Sequence, residues 1–134
     1  NNVIDISIDY IHKEADRILK GLKEQFKLYM DNRKPTDLKD KTVIIVDDGI
    51  ATGSTVLATV EAIKKSKPKE IIIAVPVSPS STVKRLSKVV DELICLLIPD
   101  DFMGVGQFYY NFSQVSDEEV IQLLHDAAKI RNVA

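Results

Sequence analysis

The chain has 134 residues, 45% of them hydrophobic and 28% charged, and a formal net charge of −2. This balance is typical of one globular domain, which we expect to span residues 1–134, and not of a disordered chain. The longest apolar runs are far too short for a bilayer, so we expect no membrane insertion. A slightly acidic chain without a block of like charges does not favour nucleic acid as a partner.

The chain contains one cysteine, Cys95, which therefore has no partner for an internal disulfide. It lies within an apolar run, where a thiol usually behaves as a small inert hydrophobe. The sequence does not open with a secretion leader, and we expect a cytoplasmic protein.

The first elements are a possible short extended stretch over residues 3–8 and then a helix that reaches about residue 32. Apolar residues recur there at spacings of three and four, which predicts a core-facing stripe over a charged opposite face. Pro35 follows and ends the helix. The stripe consists of Ile11, Ala15, Ile18, Leu22, Phe26 and Met30.

Strands and helices then alternate. The β-branched run at residues 43–46 predicts a strand that is buried on both faces in the middle of a parallel sheet. A helix is predicted from about residue 54 to 65, and a buried strand at residues 70–77. A short helix, marked by Val83, Leu86 and Val90, leads to a strand at about residues 94–97. This order predicts an α/β fold with a doubly wound, mainly parallel sheet.

Residues 98–115 interrupt the alternation with two glycines and most of the aromatic side chains, and we interpret them as a flap or structured loop. A C-terminal helix is predicted over residues 116–131. Ser116 and Glu119 form the sequence pattern of a capping box at its start. Its predicted buried stripe consists of Val120, Leu123, Leu124 and Ala127.

The strongest chemical signal follows the strand at residues 43–46. Asp47 and Asp48 are succeeded by a loop of small and hydroxyl-bearing residues that opens a helix. Backbone N–H groups of such a loop can converge on an anion, and the helix directs its positive dipole end to the same place. Adjacent carboxylates suit vicinal hydroxyls or a divalent cation, so the segment suggests a ribose 5-phosphate. Alternatively, one aspartate caps the turn and the other is solvated.

Residues 43–55 resemble the phosphoribosyl pyrophosphate motif of the type I phosphoribosyltransferases: four apolar residues, two acidic residues, a small loop with Thr-Gly, and then Thr. The resemblance extends to residues 74–77, 95–99, 102–107 and 110–114, which look like one bacterial and archaeal branch of that family. It covers the chain from about residue 1 to about residue 126.

This resemblance implies that Asp47 and Asp48 bind the ribose 2′- and 3′-hydroxyls of phosphoribosyl pyrophosphate and stabilise the cationic sugar during transfer to a nitrogenous acceptor. It also implies Mg²⁺, which arrives with the donor and could contact these two carboxylates, and a homodimer. The implied 5′-phosphate loop consists of Gly49, Ala51, Thr52, Gly53, Ser54 and Thr55.

Two departures from the family pattern qualify this interpretation. Ala51 occupies the position at which 6-oxopurine transferases carry an aspartate assigned to purine proton transfer, so 6-oxopurine salvage is disfavoured. The early strands and the pyrophosphate-binding loop of the family are not found before residue 3. We therefore expect a C-terminal portion whose strand at residues 43–46 exposes an apolar edge, covered by a second copy or by the missing N-terminal segment.

Two other functions are alternatives to a transferase. A non-catalytic regulatory module could keep ribose-phosphate recognition without the pyrophosphate loop. A receiver-like signalling domain also has an acidic pair after an apolar strand, but only 86 residues follow Asp48, too few for the alternation of a receiver.

Other candidate residues carry weaker signals. His12 and His125 are expected to be solvated rather than catalytic. The aromatic residues of the flap could stack an acceptor base or simply form core: Phe102, Phe108, Tyr109 and Tyr110.

Overall fold

The computed structural model describes residues 7–30 and 35–131, so residues 3–6 of the predicted extended stretch lie outside it, and Ile8 already begins a helix. The elements in chain order are α1 (Ile8–Met30), β1 (Thr42–Val46), α2 (Ser54–Lys64), β2 (Glu70–Val77), α3 (Ser80–Leu86), β3 (Glu92–Leu97), a 3₁₀ turn (Val105–Phe108) and α4 (Asp117–Arg131).

The chain divides into two compact units. One unit is Thr36–Ser113, which contains the sheet, α2, α3 and the 3₁₀ turn. The other combines the described parts of residues 1–35 and 114–134, which contain α1 and α4.

A parallel three-stranded sheet of order β1-β2-β3 organises the first unit. The register aligns Val46 with Ala74 and Val77 with Leu97, so the carboxyl ends of all three strands lie at one edge of the sheet. The predicted α/β class with a parallel sheet is confirmed. In such sheets, ligands bind at this edge.

The core of this unit lies between one face of the sheet and helices α2 and α3. Every second side chain of β2 is buried, and Ile73 is completely inaccessible to solvent. Val60 of α2 and Leu86 of α3, each 0% exposed, belong to the same cluster. Full burial of such a side chain contributes about 1.5 to 3 kcal/mol. Cys95 is partly buried against this cluster.

The prediction for β1 was partly wrong. β1 is an edge strand of the described sheet, in agreement with the expected apolar edge. Its alternate side chains are open to solvent, with Ile44 58% and Val46 74% exposed, so the strand is not buried on both faces. The four β-branched residues predicted the strand, but burial of the second face requires a further layer. The same face of β3 exposes Ile94 and Leu96.

In the second unit, both predicted amphipathic helices form, and Tyr29 of α1 donates a hydrogen bond of 2.6 Å to the Asp117 carboxylate of α4. Their predicted buried stripes are wrong for the described residues. α1 has no buried residue, and Leu123 and Leu124 of α4 are 61% and 39% exposed. Two helices alone offer too little facing surface to bury either stripe.

The start of α4 follows the predicted cap. The Glu119 N–H donates to the Ser116 hydroxyl at 3.2 Å, which satisfies one of the N–H groups that a helix leaves unpaired. Among the residues described, none of the helices combines the length and the apolar character that a membrane span requires.

Candidate functional site

The predicted site residues meet at the carboxyl end of β1. A cavity of about 190 Å³ lies between the end of this strand and the first turn of α2. Seven of the eight predicted residues line it, the exception being Asp48. The full lining is Asp47, Gly49, Ile50, Ala51, Thr52, Gly53, Ser54, Thr55 and Val56.

Two glycines give the loop its path. At Gly49, an added Cβ would lie 2.7 Å from Val105 Cγ1 and 2.9 Å from Val77 Cγ1, so the backbone runs too close to its neighbours for any side chain. Gly53 has φ 68° and ψ 12°, a left-handed conformation that favours glycine, at the N-cap position of α2. Because glycine has no side chain to cap the helix, the N–H groups of the first turn face the loop without a side-chain cap.

Ile50 attaches the middle of the loop to the sheet. Its side chain is only 3% exposed and belongs to the hydrophobic core. Its N–H donates to the Val77 carbonyl at 3.0 Å, at the end of β2. The loop is therefore attached to the core at Ile50, while Ala51, Thr52, Ser54 and Thr55 are exposed to solvent.

The acidic pair is also ordered by a local contact. The Asp48 N–H donates to Asp47 Oδ1 at 2.9 Å. The pKa of the Asp48 carboxyl is raised from its ordinary value, first by partial burial and then by the like charge of Asp47. Asp48 is exposed as a whole residue, so this desolvation is slight. The pair can present carboxylate oxygens to a ligand with hydroxyl donors.

Three residues outside the motif contact the site: sequence reasoning missed Thr82 and Arg85, and it considered Tyr109 only for stacking on an acceptor. Tyr109 donates its hydroxyl to the Asp48 backbone carbonyl at 2.6 Å, and Thr82 donates to the Ala51 carbonyl at 2.7 Å. Arg85 Nη2 donates to the Thr52 carbonyl. These partners are between 31 and 61 positions apart in the sequence, so no local pattern could have paired them.

The aromatic residues of the flap have different environments. Phe102 stacks on Phe108 with ring centroids 5.8 Å apart, and Tyr109 lies 5.3 Å from Phe112. Tyr110 is fully exposed. Their stacking on an acceptor stays a prediction.

Other candidate ligands lie elsewhere. His12 belongs to α1 and His125 to α4, in the other unit, and neither lines the cavity. In the described ranges, no group of three or more His, Cys, Asp or Glu side chains could hold a metal ion. The structure places Asp47 in the lining of the cavity and Asp48 next to it in the chain, outside that lining.

Comparison with known proteins agrees with the geometry. The family described as phosphoribosyl transferase domain matches residues 2–113. A protein named "Putative phosphoribosyl transferase" from Mycobacterium tuberculosis H37Rv is 37% identical over 117 residues, which are 87% of this chain but 24% of that protein. A ribose-phosphate pyrophosphokinase of Pyrococcus furiosus is 32% identical over 90 residues, 66% of this chain and 30% of the kinase.

A solved structure is similar over most of the chain. The crystal structure of TT1426 from Thermus thermophilus aligns with a TM-score of 0.78 and 32% identity, covering 90% of this chain and 58% of that one. The chain thus spans about a quarter of the length of the mycobacterial relative.

Proposed function

This chain belongs to the phosphoribosyl transferase domain family, and we propose that its cavity binds the ribose 5-phosphate part of phosphoribosyl pyrophosphate for transfer to a nitrogenous acceptor. The observation that carries the proposal is the shared cavity, which is lined both by Asp47 and by the N-terminal turn of α2. A ligand held there needs hydroxyl donors at one end and an anion at the other. A phosphorylated ribose has both.

The phosphate is proposed to bind the loop and the first turn of α2. Backbone N–H groups and the hydroxyls of Thr52, Ser54 and Thr55 are the donors available in the cavity lining. The helix dipole favours an anion at this end. A monophosphate dianion is therefore held largely by backbone N–H groups, and the loop does not need charged side chains to bind it.

The carboxylates are proposed to serve the reaction as well as binding. Departure of pyrophosphate from the anomeric carbon leaves positive charge on the sugar, and negative groups fixed beside the ribose stabilise it. Asp47 and Asp48 directly follow β1, which supports this role. The acceptor nitrogen then forms the new bond to the anomeric carbon. Because residue 51 is Ala51, the loop supplies no carboxylate to a purine proton, and we propose an acceptor other than a 6-oxopurine.

Magnesium fits the site only together with the donor. Mg²⁺ is usually bound by one or two carboxylates and the phosphates of a substrate, and here Asp47 lines the cavity with Asp48 next to it in the chain. Asp47 and Asp48 would hold the ion from the protein side. When bound, it neutralises charge on the departing pyrophosphate.

The remaining parts of the proposal concern the assembly. The exposed β1 edge supports association with a second copy or with a further segment, either of which could supply groups for the pyrophosphate. We also propose that the protein acts in the cytoplasm.

One observation favours a second candidate, a regulatory module that binds ribose phosphates without catalysis. The cavity lining contains no Lys or Arg side chain among the residues that the structure describes. A pyrophosphate group would gain charge-assisted hydrogen bonds from such residues, whereas a monophosphate is served by the loop alone.

Calorimetric titration of this chain with phosphoribosyl pyrophosphate and Mg²⁺, and separately with ribose 5-phosphate, tests the proposal. Binding of both ligands at similar strength would favour the regulatory module. Tighter binding of phosphoribosyl pyrophosphate than of ribose 5-phosphate would favour the transferase. Absence of binding by both would refute the proposed site.

Two variants locate the binding. Replacing both acids, Asp47→Asn with Asp48→Asn, should abolish binding of the donor while the fold is retained. Thr52→Val should weaken binding by about 1.5 to 3 kcal/mol, the value of a hydrogen bond to a charged group. Thr59→Val is the matched control, because Thr59 is exposed on α2 and bonds the Thr55 carbonyl of its own helix. Unchanged binding in the double variant would contradict the assignment.

A further inference from the structure

We propose that Thr82 and Arg85 of α3 are positioning residues that turn two peptide groups of the loop so that their N–H bonds face the bound phosphate. The inference rests on the proposed function, since it takes the loop as the phosphate site. Neither residue lies in the motif or lines the cavity of about 190 Å³. Their contacts are with the carbonyl oxygens on the other side of the loop.

The two contacts fall on consecutive peptide groups. Thr82 Oγ1 donates to the Ala51 carbonyl at 2.7 Å, and Arg85 Nη2 donates to the Thr52 carbonyl. Both donors come from α3, one turn apart on that helix. Both carbonyls are therefore directed at α3.

Peptide geometry converts these contacts into an orientation of the donors. In a planar trans peptide, the C=O of one residue and the N–H of the next point in opposite directions. No cis peptide is present in the described chain. With the carbonyls of Ala51 and Thr52 directed at α3, the N–H groups of Thr52 and Gly53 are directed away from it.

Two cavities border the loop, and Thr52 lines both of them. On the α3 side, a cavity of about 330 Å³ is lined by Thr52, Ser81, Thr82 and Arg85. The cavity of about 190 Å³ is lined by the loop and α2, with no residue of α3. The N–H groups that point away from α3 are thus available to the cavity that α3 does not line, where the phosphate is proposed to bind.

α3 is well held for this task. Thr82 is 5% and Leu86 0% exposed, which fixes one side of the helix in the core. The Thr82 and Val83 N–H groups donate to the Pro79 carbonyl at 3.0 and 3.1 Å. A site built from backbone donors needs such support, because a loop of small residues has many other conformations.

The methyl group of Thr82 adds a second constraint. A Cβ built on Gly53 would lie 2.9 Å from Thr82 Cγ2, so this methyl closes the space beside the left-handed residue. Thr82 thus combines a hydrogen bond to Ala51 with contact at Gly53. Its two parts can be separated by substitution.

The test uses matched variants of the full chain. Thr82→Val removes the hydroxyl and keeps the shape, whereas Thr82→Ser keeps the hydroxyl. Arg85→Met removes the donor and the charge, whereas Arg85→Gln removes the charge and keeps an N–H donor. Lys84→Gln removes one positive charge from the same helix and controls for the general effect of charge.

Two readouts are taken from each protein by NMR. The first is the amide proton shifts of Thr52 and Gly53 on addition of inorganic phosphate, then of ribose 5-phosphate. The second is amide order of residues 51–54 without ligand. Loss of one hydrogen bond that orders the donors should weaken phosphate binding about tenfold in Thr82→Val and in Arg85→Met. Thr82→Ser, Arg85→Gln and Lys84→Gln should stay within about threefold of the original protein, and loop order should fall only in the first two variants.

The outcomes separate this inference from the proposed function. If phosphate shifts both amides but phosphoribosyl pyrophosphate does not bind, the proposed function fails and the orienting role of α3 stands. If all variants bind phosphate equally with unchanged amide shifts, the inference is overturned and the site survives. Weakening of phosphate binding by Lys84→Gln as large as that by Arg85→Met would also overturn it, because the charge of α3 would then be the cause. Absence of any shift at Thr52 and Gly53 in the original protein would overturn it as well.

Discussion

Gly53→Ala is the sharpest test of the loop geometry, because two separate costs meet at one position. Gly53 has φ 68°, where an L residue is strained. Its added Cβ would lie 2.9 Å from Thr82 Cγ2, and 3.2 Å from both Ile50 Cγ2 and Leu86 Cδ1. These neighbours are core side chains with little room to move.

The expected loss of stability follows from these two terms. A left-handed conformation costs an alanine about 1 to 2 kcal/mol. Overpacking a filled core by one methyl group costs about 1 to 3 kcal/mol. Since one backbone shift relieves part of both, we expect a loss of about 2 to 4 kcal/mol in the free energy of unfolding.

Urea unfolding, followed through the NMR signals of β2, measures this loss in the unit that contains Gly53. Gly104→Ala is the control, because a Cβ there would meet nothing within 4 Å and φ is 173°, which any residue adopts. It should stay within about 0.5 kcal/mol of the original protein. Adding Thr82→Ser to Gly53→Ala removes the nearest atom and should recover part of the packing loss, whereas the two contacts at 3.2 Å and the strain remain.

Two results would refute this reasoning. Gly53→Ala within about 0.5 kcal/mol of Gly104→Ala, the scatter of neutral surface substitutions, would mean that the left-handed turn is not formed. If Gly53→Ala costs the same free energy of unfolding in the Thr82→Ser protein as in the original protein, Thr82 does not confine this position.

Three further outcomes are expected. Asp47→Asn should lower the raised pKa of Asp48, because it removes a like charge, as a carboxyl ¹³C titration would show. Because the pKa of Asp48 is higher in the folded protein than in the unfolded chain, stability falls as pH rises through that pKa. This fall should be smaller in Asp47→Asn, as urea midpoints measured against pH would show. A difference in urea midpoint between the two proteins that does not change with pH would contradict this. Tyr109→Phe removes the hydrogen bond to the Asp48 carbonyl and should cost about 0.5 to 1.5 kcal/mol in the same urea assay. Unchanged stability would mean that this hydrogen bond is not formed. Ser116→Ala should speed exchange of the Glu119 amide and cost α4 about 0.5 to 2 kcal/mol, and unchanged exchange would speak against the cap.

Most of the secondary structure was predictable because it depends on neighbours in the chain. The β-branched run before Asp47 predicted β1, and β2 has the predicted bounds, Glu70–Val77. The periodic apolar residues predicted α1, α2 and α4 for the same reason. Burial was less predictable, since a pattern shows which face is apolar and not what covers it. Ile44 and Leu123 are exposed although their patterns predicted otherwise.

The candidate site, too, has parts that depend on consecutive residues and parts that depend on distant contacts. The sequence by itself determined the acidic pair, the small loop and the start of α2, because these residues are consecutive and a strand followed by a helix places them at one edge. Only the tertiary structure showed that Thr82, Arg85 and Tyr109 donate hydrogen bonds to backbone carbonyls of this segment. Hydrogen bonds between residues 31 or more positions apart depend on how the strands align, and no local pattern records that alignment.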